Sequence, residues 1–127
     1  MLPDAVPYPH DIKIRLTEKF GETNGYKAYN ELFLTFQELP IVLIGDGFIA
    51  LHGGFPVSGF NLDTMESNII EILWNDPFES KGYTNNPRGI GYLFGKDISE
   101  KWLSLTGSHF LVRGHEACEG YMVNHDG

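Results

Sequence analysis

Two short apolar segments of this chain each lead into a histidine. Residues 48–51 precede His52, which two glycines follow, and residues 110–113 lead through a further glycine to His115. Apolar runs of this length, bounded by glycine, are typical of buried strands. A strand end holds a side chain firmly, and neutral imidazole is a common metal ligand. The pattern therefore predicts two strand ends that present His52 and His115 as metal ligands, with the glycines leaving room for an ion or ligand.

A candidate phosphate-binding residue, Arg88, lies between the two histidines in the sequence Asn86-Pro87-Arg88-Gly89. Proline fixes one backbone dihedral angle and glycine relaxes another, so the arginine is expected to stand out from a rigid turn. Its guanidinium group has the geometry to bind two phosphate oxygens at once. On this local sequence alone, a phosphate-binding arginine and a surface arginine in a weak salt bridge are equally favoured.

Other polar residues near these segments are weaker candidates. Asp76 could be a ligand, but an aspartate before a proline is more often an ordinary start of a turn. Arg113 is out of phase with some of its potential partners along the strand. Glu116 should point away from His115 because neighbouring strand residues face opposite sides, so we expect a solvated carboxylate. The other histidines lack the strand-end context and are predicted to be surface or packing residues: His10, His109 and His125.

Composition indicates a globular protein and narrows its ligands. The chain has 127 residues, of which 42% are hydrophobic and 13% aromatic, which fits one small domain or part of a larger one. A net charge of −8 with nine scattered basic residues argues against nucleic acid as a partner. Cys118 is the only cysteine, so the simplest expectation is a reducing, cytoplasmic setting. No apolar run approaches the roughly 20 residues that cross a bilayer, and no signal peptide is evident.

Residue spacing predicts an α/β or α+β fold, with a helical segment at 1–39 and a strand-rich segment at 40–127. Three prolines in the first nine residues predict an extended start. The predicted helices cover 10–20, 25–38 with Asn24 as cap, 63–73 with Asp63 as cap, and 97–105 with Asp97 as cap. The predicted strands cover 40–44, 48–52, 110–113 and 121–124, and a hairpin turn at 45–47 joins the first two. A long loop is predicted over 75–92, and such loops in small domains are usually functional or disordered.

Five sequence blocks resemble the C-terminal half of the phosphoprotein phosphatase family, the calcineurin-like serine/threonine phosphatases. In chain order they are Leu51-His52-Gly53-Gly54, Leu73-Trp74-Asn75-Asp76-Pro77, Asn86-Pro87-Arg88-Gly89-Ile90-Gly91-Tyr92-Leu93-Phe94-Gly95, Val112-Arg113-Gly114-His115-Glu116 and Gly120-Tyr121. Their order over residues 48–125 makes the match specific. The resemblance implies that residues 1–127 are part of a two-sheet β-sandwich flanked by helices, with metal ions at strand ends.

The resemblance also implies roles for individual residues. His52 and His115 match two ligands of the second metal ion of the family, and Arg88 matches a phosphate-binding arginine. In such enzymes two Mn, Fe or Zn ions activate a hydroxide, which attacks phosphorus in line without a phosphoenzyme intermediate. The implied substrates are phosphoproteins or phosphopeptides.

The sequence departs from the family pattern at both ends. It lacks the Asp-x-His, Gly-Asp-x-x-Asp-Arg-Gly and Gly-Asn-His-Glu blocks, which supply the first metal's ligands, and the later Ser-Ala-Pro-Asn-Tyr block. The resemblance therefore implies a fragment that holds ligands for one of the two metals and has little turnover by itself. Two alternatives stay open. One is a non-catalytic subunit whose open sheet is covered by a second copy or another partner. The other is a metallophosphoesterase acting on nucleotides or dinucleoside polyphosphates.

Overall fold

The computed structural model describes residues 11–127 and divides the chain into two compact units at the boundary between Pro40 and Ile41. The predictions for His10 and for the proline-rich first nine residues lie outside the described residues. None of the helices in the described part is long and apolar enough to cross a membrane.

The described part of the first unit consists of two helices, α1 (Ile12–Phe20) and α2 (Glu22–Glu38), separated by Gly21. Gly21 has a positive φ of 79° and marks the predicted end of α1. The predicted start of α2 is wrong, because the helix begins at Glu22 and Asn24 lies in its first turn. Gly25 brings the two helices close together, since a Cβ there would lie 2.5 Å from the Cα of Thr17.

The second unit contains two small sheets and two helices. Its strands are β1 (Val42–Ile44), β2 (Phe48–Leu51), β3 (Asp76–Pro77), β4 (Tyr83–Asn85), β5 (Tyr92–Phe94) and β6 (Phe110–Val112), and its helices are α3 (Ile69–Trp74) and α4 (Lys96–Thr106). The order of strands is β1-β2-β6 in one sheet and β3-β5-β4 in the other.

The first sheet places the ends of β2 and β6 side by side. The predicted hairpin is present: β1 and β2 pair antiparallel, and Gly47 in the turn has a φ of 79°. β6 then pairs parallel to β2, with Ile49 opposite Leu111. Parallel strands finish at the same edge of a sheet. The ladder continues past both strands, because the Gly114 N–H donates to the His52 carbonyl at 3.0 Å.

The second sheet occupies most of the segment predicted to be a loop. β3 pairs parallel to β5, and β4 pairs antiparallel to it. These strands have only two or three residues, and β4 is exposed throughout, so the segment carries little apolar periodicity. The predicted strand at 121–124 is wrong, since these residues carry no strand and lead into a turn in which the Gly127 N–H donates to the Asn124 carbonyl.

The helices of the second unit begin at other residues than predicted. In place of one helix over 63–73, the chain forms 3₁₀ turns at Leu62–Thr64 and Glu66–Asn68 before α3. The cap is Asn61, whose side-chain oxygen accepts the Asp63 N–H at 3.0 Å. α4 starts one residue before the predicted cap, so Asp97 lies in its first turn.

A compact apolar core holds the two sheets and α4 together. Its buried members are Ile49, Leu51, Phe55, Val57, Met65, Ile72, Phe94, Ile98 and Trp102. The Phe55 and Trp102 rings stack with centroids 6.0 Å apart, and the Trp102 indole N–H donates to the Pro56 carbonyl at 2.8 Å. The segment that follows His52 is therefore fixed by packing as well as by the sheet.

Candidate metal and phosphate site

His52 and His115 meet at the edge of the first sheet. The Nε2 atom of His52 lies 3.3 Å from the Nδ1 atom of His115, and the two rings are edge to face. Two imidazole nitrogens bound to one transition metal at ~2.0–2.1 Å with a tetrahedral angle would lie about 3.3–3.4 Å apart. The separation in this structure therefore fits two adjacent ligands of a single ion.

His115 reaches this position through an unusual backbone conformation. Its φ is +68°, a value that residues other than glycine adopt rarely. The Glu116 N–H donates to the Gly114 carbonyl at 2.8 Å, so His115 is the central residue of a three-residue γ-turn. Strained backbone of this kind is common at functional sites. The turn aims the His115 ring back towards the end of β2.

The surroundings favour the neutral form of both rings. Burial lowers the pKa of His52, and the positive charge of Arg113 lowers it further. Burial also lowers the pKa of His115, against the opposing effect of the Asp76 carboxylate. Because a metal binds the unprotonated nitrogen, these environments leave both rings ready to act as ligands near neutral pH.

The two glycines after His52 serve packing rather than ligand access, which corrects the prediction. The N–H groups of Gly53 and Gly54 both donate to the Ile72 carbonyl at the end of α3. A Cβ on Gly53 would lie 2.6 Å from the carbonyl carbon of Leu73, and one on Gly54 would overlap the Phe94 ring. The glycines therefore let the end of β2 lie directly against α3.

Arg88 stands on the turn that the sequence predicted. The Gly89 N–H donates to the Asn86 carbonyl at 3.0 Å, and the Arg88 N–H donates to the Asn86 side-chain oxygen at 3.0 Å. Asparagine first, proline second and glycine fourth is the pattern of a type I turn. The Arg88 side chain is 46% exposed, and its Nη1 lies 3.2 Å from the Nε2 of His115. The structure thus brings together Arg88, His52 and His115.

Asp76 is a buried carboxylate at the centre of this cluster, contrary to its reading as an ordinary turn residue. Only 5% of its side chain is exposed. Its Oδ1 accepts from the Arg113 guanidinium at 2.7 Å, and its Oδ2 accepts from the Asn86 amide at 2.9 Å. The Nε of Arg88 lies 3.6 Å from Oδ2, and the Nε2 of His115 lies 3.9 Å from Oδ1.

Arg113 links three of the sequence blocks from a position that is 12% exposed. Besides binding Asp76, it donates to the Gly53 carbonyl and to the Glu116 carboxylate. The prediction of a solvated Glu116 is wrong, since its side chain is only 29% exposed and pairs with Arg113. Strand alternation failed there because β6 ends at Val112 and the γ-turn at His115 follows it.

The remaining histidines of the described part stay outside the cluster. His109 is exposed and follows α4, with its N–H bonded to the Gly47 carbonyl. His125 packs edge to face on Phe94 and lies 2.9 Å from the Ser99 hydroxyl. Within residues 11–127, no third histidine, cysteine or carboxylate joins the pair at 52 and 115 to make a group that could hold a metal.

Sequence reasoning favoured an ordinary turn for Asp76 and did not single out Asn86, and these two residues anchor the arginine turn. Asn86 is buried, and its amide bonds both Asp76 and the Trp74 carbonyl. The neighbouring Asn75 is also buried and joins Phe55 to Tyr92 through its side-chain amide. Short polar side chains beside proline are common turn residues, so only their burial, which the sequence does not show, distinguishes them.

Comparison with known proteins defines the family. The model of the calcineurin-like phosphoesterase family matches residues 9–119. The chain belongs to the calcineurin-like phosphoesterase family. The resemblance predicted from the five blocks is therefore confirmed at the level of this family, and with it the assignment to a family of hydrolytic phosphoesterases. The observed mixture of helices and small sheets confirms the predicted α/β class as a partial calcineurin-like fold.

A solved structure of the same fold is described as a protein serine/threonine phosphatase from Saccharomyces cerevisiae with similarity to human phosphatase PP5. It matches with a TM-score of 0.67 and 24% sequence identity, over 84% of this chain and 36% of that chain. At this identity the likeness concerns the fold. This calcineurin-like phosphoesterase chain thus spans little more than a third of the solved phosphatase chain that it matches.

Proposed function

We propose that this chain carries one half of the two-metal site of a serine/threonine protein phosphatase. His52 and His115 bind one transition-metal ion, and Arg88 binds the phosphate group of the substrate. The observation that carries the proposal is the 3.3 Å approach of the two ring nitrogens, with the Arg88 guanidinium 3.2 Å from the second ring. Membership of the calcineurin-like phosphoesterase family supports it.

In this proposal the two histidines bind the metal ion and Arg88 binds the phosphate group. His52 and His115 donate lone pairs from the end of the first sheet, and their lowered pKa values keep those lone pairs available. When bound, a metal ion of this kind polarises a phosphoryl oxygen and lowers the pKa of a bound water. Arg88 reaches out from a rigid turn, so its guanidinium can bind two phosphate oxygens and offset their charge.

A protein substrate fits the exposure of the arginine. The Arg88 side chain is 46% exposed, so a phosphate group on a folded partner could reach it without entering a deep cavity. The dinucleotide alternative is tested by comparing hydrolysis of a phosphopeptide with that of diadenosine tetraphosphate, in a form of the protein that turns over substrate. A strong preference for the dinucleotide would contradict the protein phosphatase proposal.

The metal site can be tested on this chain directly. We expect Zn²⁺ or Mn²⁺ to bind with a stoichiometry of one, measured by titration calorimetry. His52→Ala and His115→Ala should each remove that binding, while His109→Ala, an exposed histidine away from the cluster, should leave it intact. Equal binding by all three variants would contradict the proposal.

The number of ligands decides whether the chain is active by itself. Within the described residues no third ligand joins the two histidines, so we propose that this chain supplies ligands for one of the family's two metals. We expect little hydrolysis of a phosphopeptide with Mn²⁺. Robust hydrolysis that depends on His52 would show that two histidines and Arg88 suffice, and would contradict this part of the proposal.

A non-catalytic role in binding anions or a partner is the second candidate. It is favoured by the same two-histidine set, because such a site can hold an ion without activating a nucleophile. Production of the chain with its natural flanking sequence, followed by the phosphopeptide assay, separates the catalytic role from the binding role. Absence of turnover in that assay would favour the binding role.

We also propose a reducing intracellular location, because the single cysteine, Cys118, is an exposed free thiol.

A further inference from the structure

We propose that Asp76 is a positioning residue that ties the metal ligand His115 and the phosphate-binding Arg88 to a single carboxylate. The inference rests on the proposed function, since it concerns the same site. Asp76 would hold the side chains of His115 and Arg88 in position, which the two histidines and Arg88 cannot do by themselves. One carboxylate would then couple the geometry of the metal half of the site to that of the phosphate half.

The two oxygens of Asp76 face different parts of the site. Oδ1 faces His115, whose Nε2 is 3.9 Å away, and accepts from Arg113 at 2.7 Å. Oδ2 faces Arg88, whose Nε is 3.6 Å away, and accepts from the Asn86 amide at 2.9 Å. Because Asn86 also begins the turn that carries Arg88, Oδ2 fixes both the base of that turn and the side chain at its tip.

The chemistry of an imidazole ligand explains why His115 needs this carboxylate. The Nδ1 atom of His115 faces His52, so a shared metal ion would bind at Nδ1. The proton of the neutral ring then lies on Nε2, which becomes a donor. Metal-binding histidines usually give this second N–H to a carboxylate or carbonyl, which fixes the ring orientation. Asp76 is the carboxylate that this atom faces.

The same proton would change the contacts of Arg88. The Arg88 Nη1 lies 3.2 Å from the His115 Nε2. A protonated Nε2 can no longer accept from the guanidinium, so that contact is lost when Nδ1 is a ligand. Arg88 remains tethered to Asp76 through Nε, and its terminal nitrogens are directed to a phosphate. The turn at Asn86 limits how far the side chain can move.

Arg113 makes a buried carboxylate tolerable at this position. An isolated buried charge is costly, and a paired one with further hydrogen bonds is much less so. Arg113 supplies the opposite charge and is itself held by the Gly53 carbonyl and by Glu116. These contacts come from the blocks around both histidines, so they fix Asp76 relative to both metal ligands.

The experiment uses the whole 127-residue chain with three substitutions. Asp76→Asn keeps the shape of the side chain and removes its charge. Asp76→Glu keeps the charge beside Arg113 but displaces the oxygens. Asp97→Asn is the matched control, since that carboxylate also accepts a hydrogen bond, in its case from the Gly82 N–H, but lies outside the cluster. The probes are Co²⁺, followed by its visible absorption, and inorganic phosphate, followed by ³¹P NMR.

Both Asp76 substitutions should weaken Co²⁺ binding by about 10–100-fold, the usual cost of losing such a partner of a ligand, and should also weaken phosphate binding. Asp97→Asn should change neither. A role limited to balancing the charge of Arg113 would be rescued in Asp76→Glu. Wild-type affinities in that variant would overturn the proposal, as would losses in Asp76→Asn no larger than those of the control. The glutamate variant also decides the matter if Asp76→Asn fails to fold.

A second readout separates this inference from the proposed function. In the metal-free chain, NMR contacts between the His115 and Trp74 rings, whose centroids are 5.4 Å apart, report the ring position. If the wild-type chain binds no Co²⁺, the proposed metal site fails. The positioning role is then supported if Asp76→Asn and Asp76→Glu lose those ring contacts and the control keeps them, and it is overturned if both keep them.

Discussion

At the scale of single residues, the backbone of His115 is strained in the conformation that places its side chain in the site. A positive φ costs a residue with a Cβ roughly 1–2 kcal/mol relative to glycine. The strain is maintained by the Gly114 and Glu116 hydrogen bond and by the ring contacts with His52 and Trp74. A site in which only packing mattered would be expected to hold glycine at this position.

The strain predicts an inverted ranking of two substitutions. His115→Gly should be more stable than His115→Ala by about 1 kcal/mol, because glycine relieves the strain and only part of that gain is lost to greater freedom of its unfolded chain. Urea denaturation measures the difference. At His109, which has no positive φ, the alanine variant should be the more stable. An alanine variant at 115 as stable as the glycine variant would contradict the argument.

The sequence singles out three side chains that meet in the candidate site, but it does not single out the residues that hold them in place. His52, His115 and Arg88 stand beside glycine or proline, where local patterns carry information. Asp76 also stands beside a proline, but its role comes from Arg113, which is 37 residues away along the chain. The γ-turn at His115 also leaves no mark on the sequence, so Glu116 was assigned to the wrong environment.

At the scale of elements, the end of β2 depends on glycine for its contact with α3. Gly53→Ala should destabilise the chain by roughly 1–3 kcal/mol, because its Cβ would meet the rigid carbonyl of Leu73 at 2.6 Å. The change in the free energy of unfolding is measured by urea denaturation. Gly114→Ala is the matched control, since its Cβ would meet no atom closer than 3.8 Å. Equal losses in both variants would contradict this account.

The first turn of α4 gives a prediction for pH. The Gly82 N–H bond lowers the pKa of the Asp97 carboxyl below its ordinary value of 3.8, with help from Lys101 and the helix N–H groups. A group whose pKa is lower when folded stabilises the fold above the unfolded-state value and loses that effect as pH falls through the folded-state value. Asp97→Asn should therefore lower the melting temperature at neutral pH, and the difference should vanish in strong acid. A difference independent of pH would contradict this assignment.

The elements that the sequence predicts correctly are those with an apolar pattern of their own. In the hairpin at 42–51, β2 alternates half-buried and buried residues and β1 is an apolar run, although it is mostly exposed, and glycines mark the turn between them, so both strands and the turn are recognisable. The strands at 76–77 and 83–85 are held by backbone pairing with β5 and bury few apolar side chains of their own. Pairing between segments distant in sequence decides such elements, and local propensity does not.

At the scale of the whole molecule, the first sheet leaves an apolar face exposed. Leu43 and Val112 flank Ala50 on that face, and the Phe48 and Phe110 rings stack beside them with centroids 6.1 Å apart. Leu43, Phe110 and Val112 are each at least 50% exposed. β1 and β6 are the edges of this sheet, so their backbone groups are also open to pairing. A surface of this kind favours association.

We therefore expect the chain to associate as its concentration rises, with sedimentation velocity as the measurement. Replacing Phe110 and Val112 together by threonine should shift the chain towards the monomer, because it removes apolar area from the exposed face while threonine keeps a high strand propensity. Tyr121→Thr is the control, since Tyr121 is 86% exposed but lies outside any strand. A monomer at every concentration that unfolds in one cooperative step would contradict the expectation. An equal shift in the control would show that exposed apolar area in general, and not the face of the first sheet, drives association.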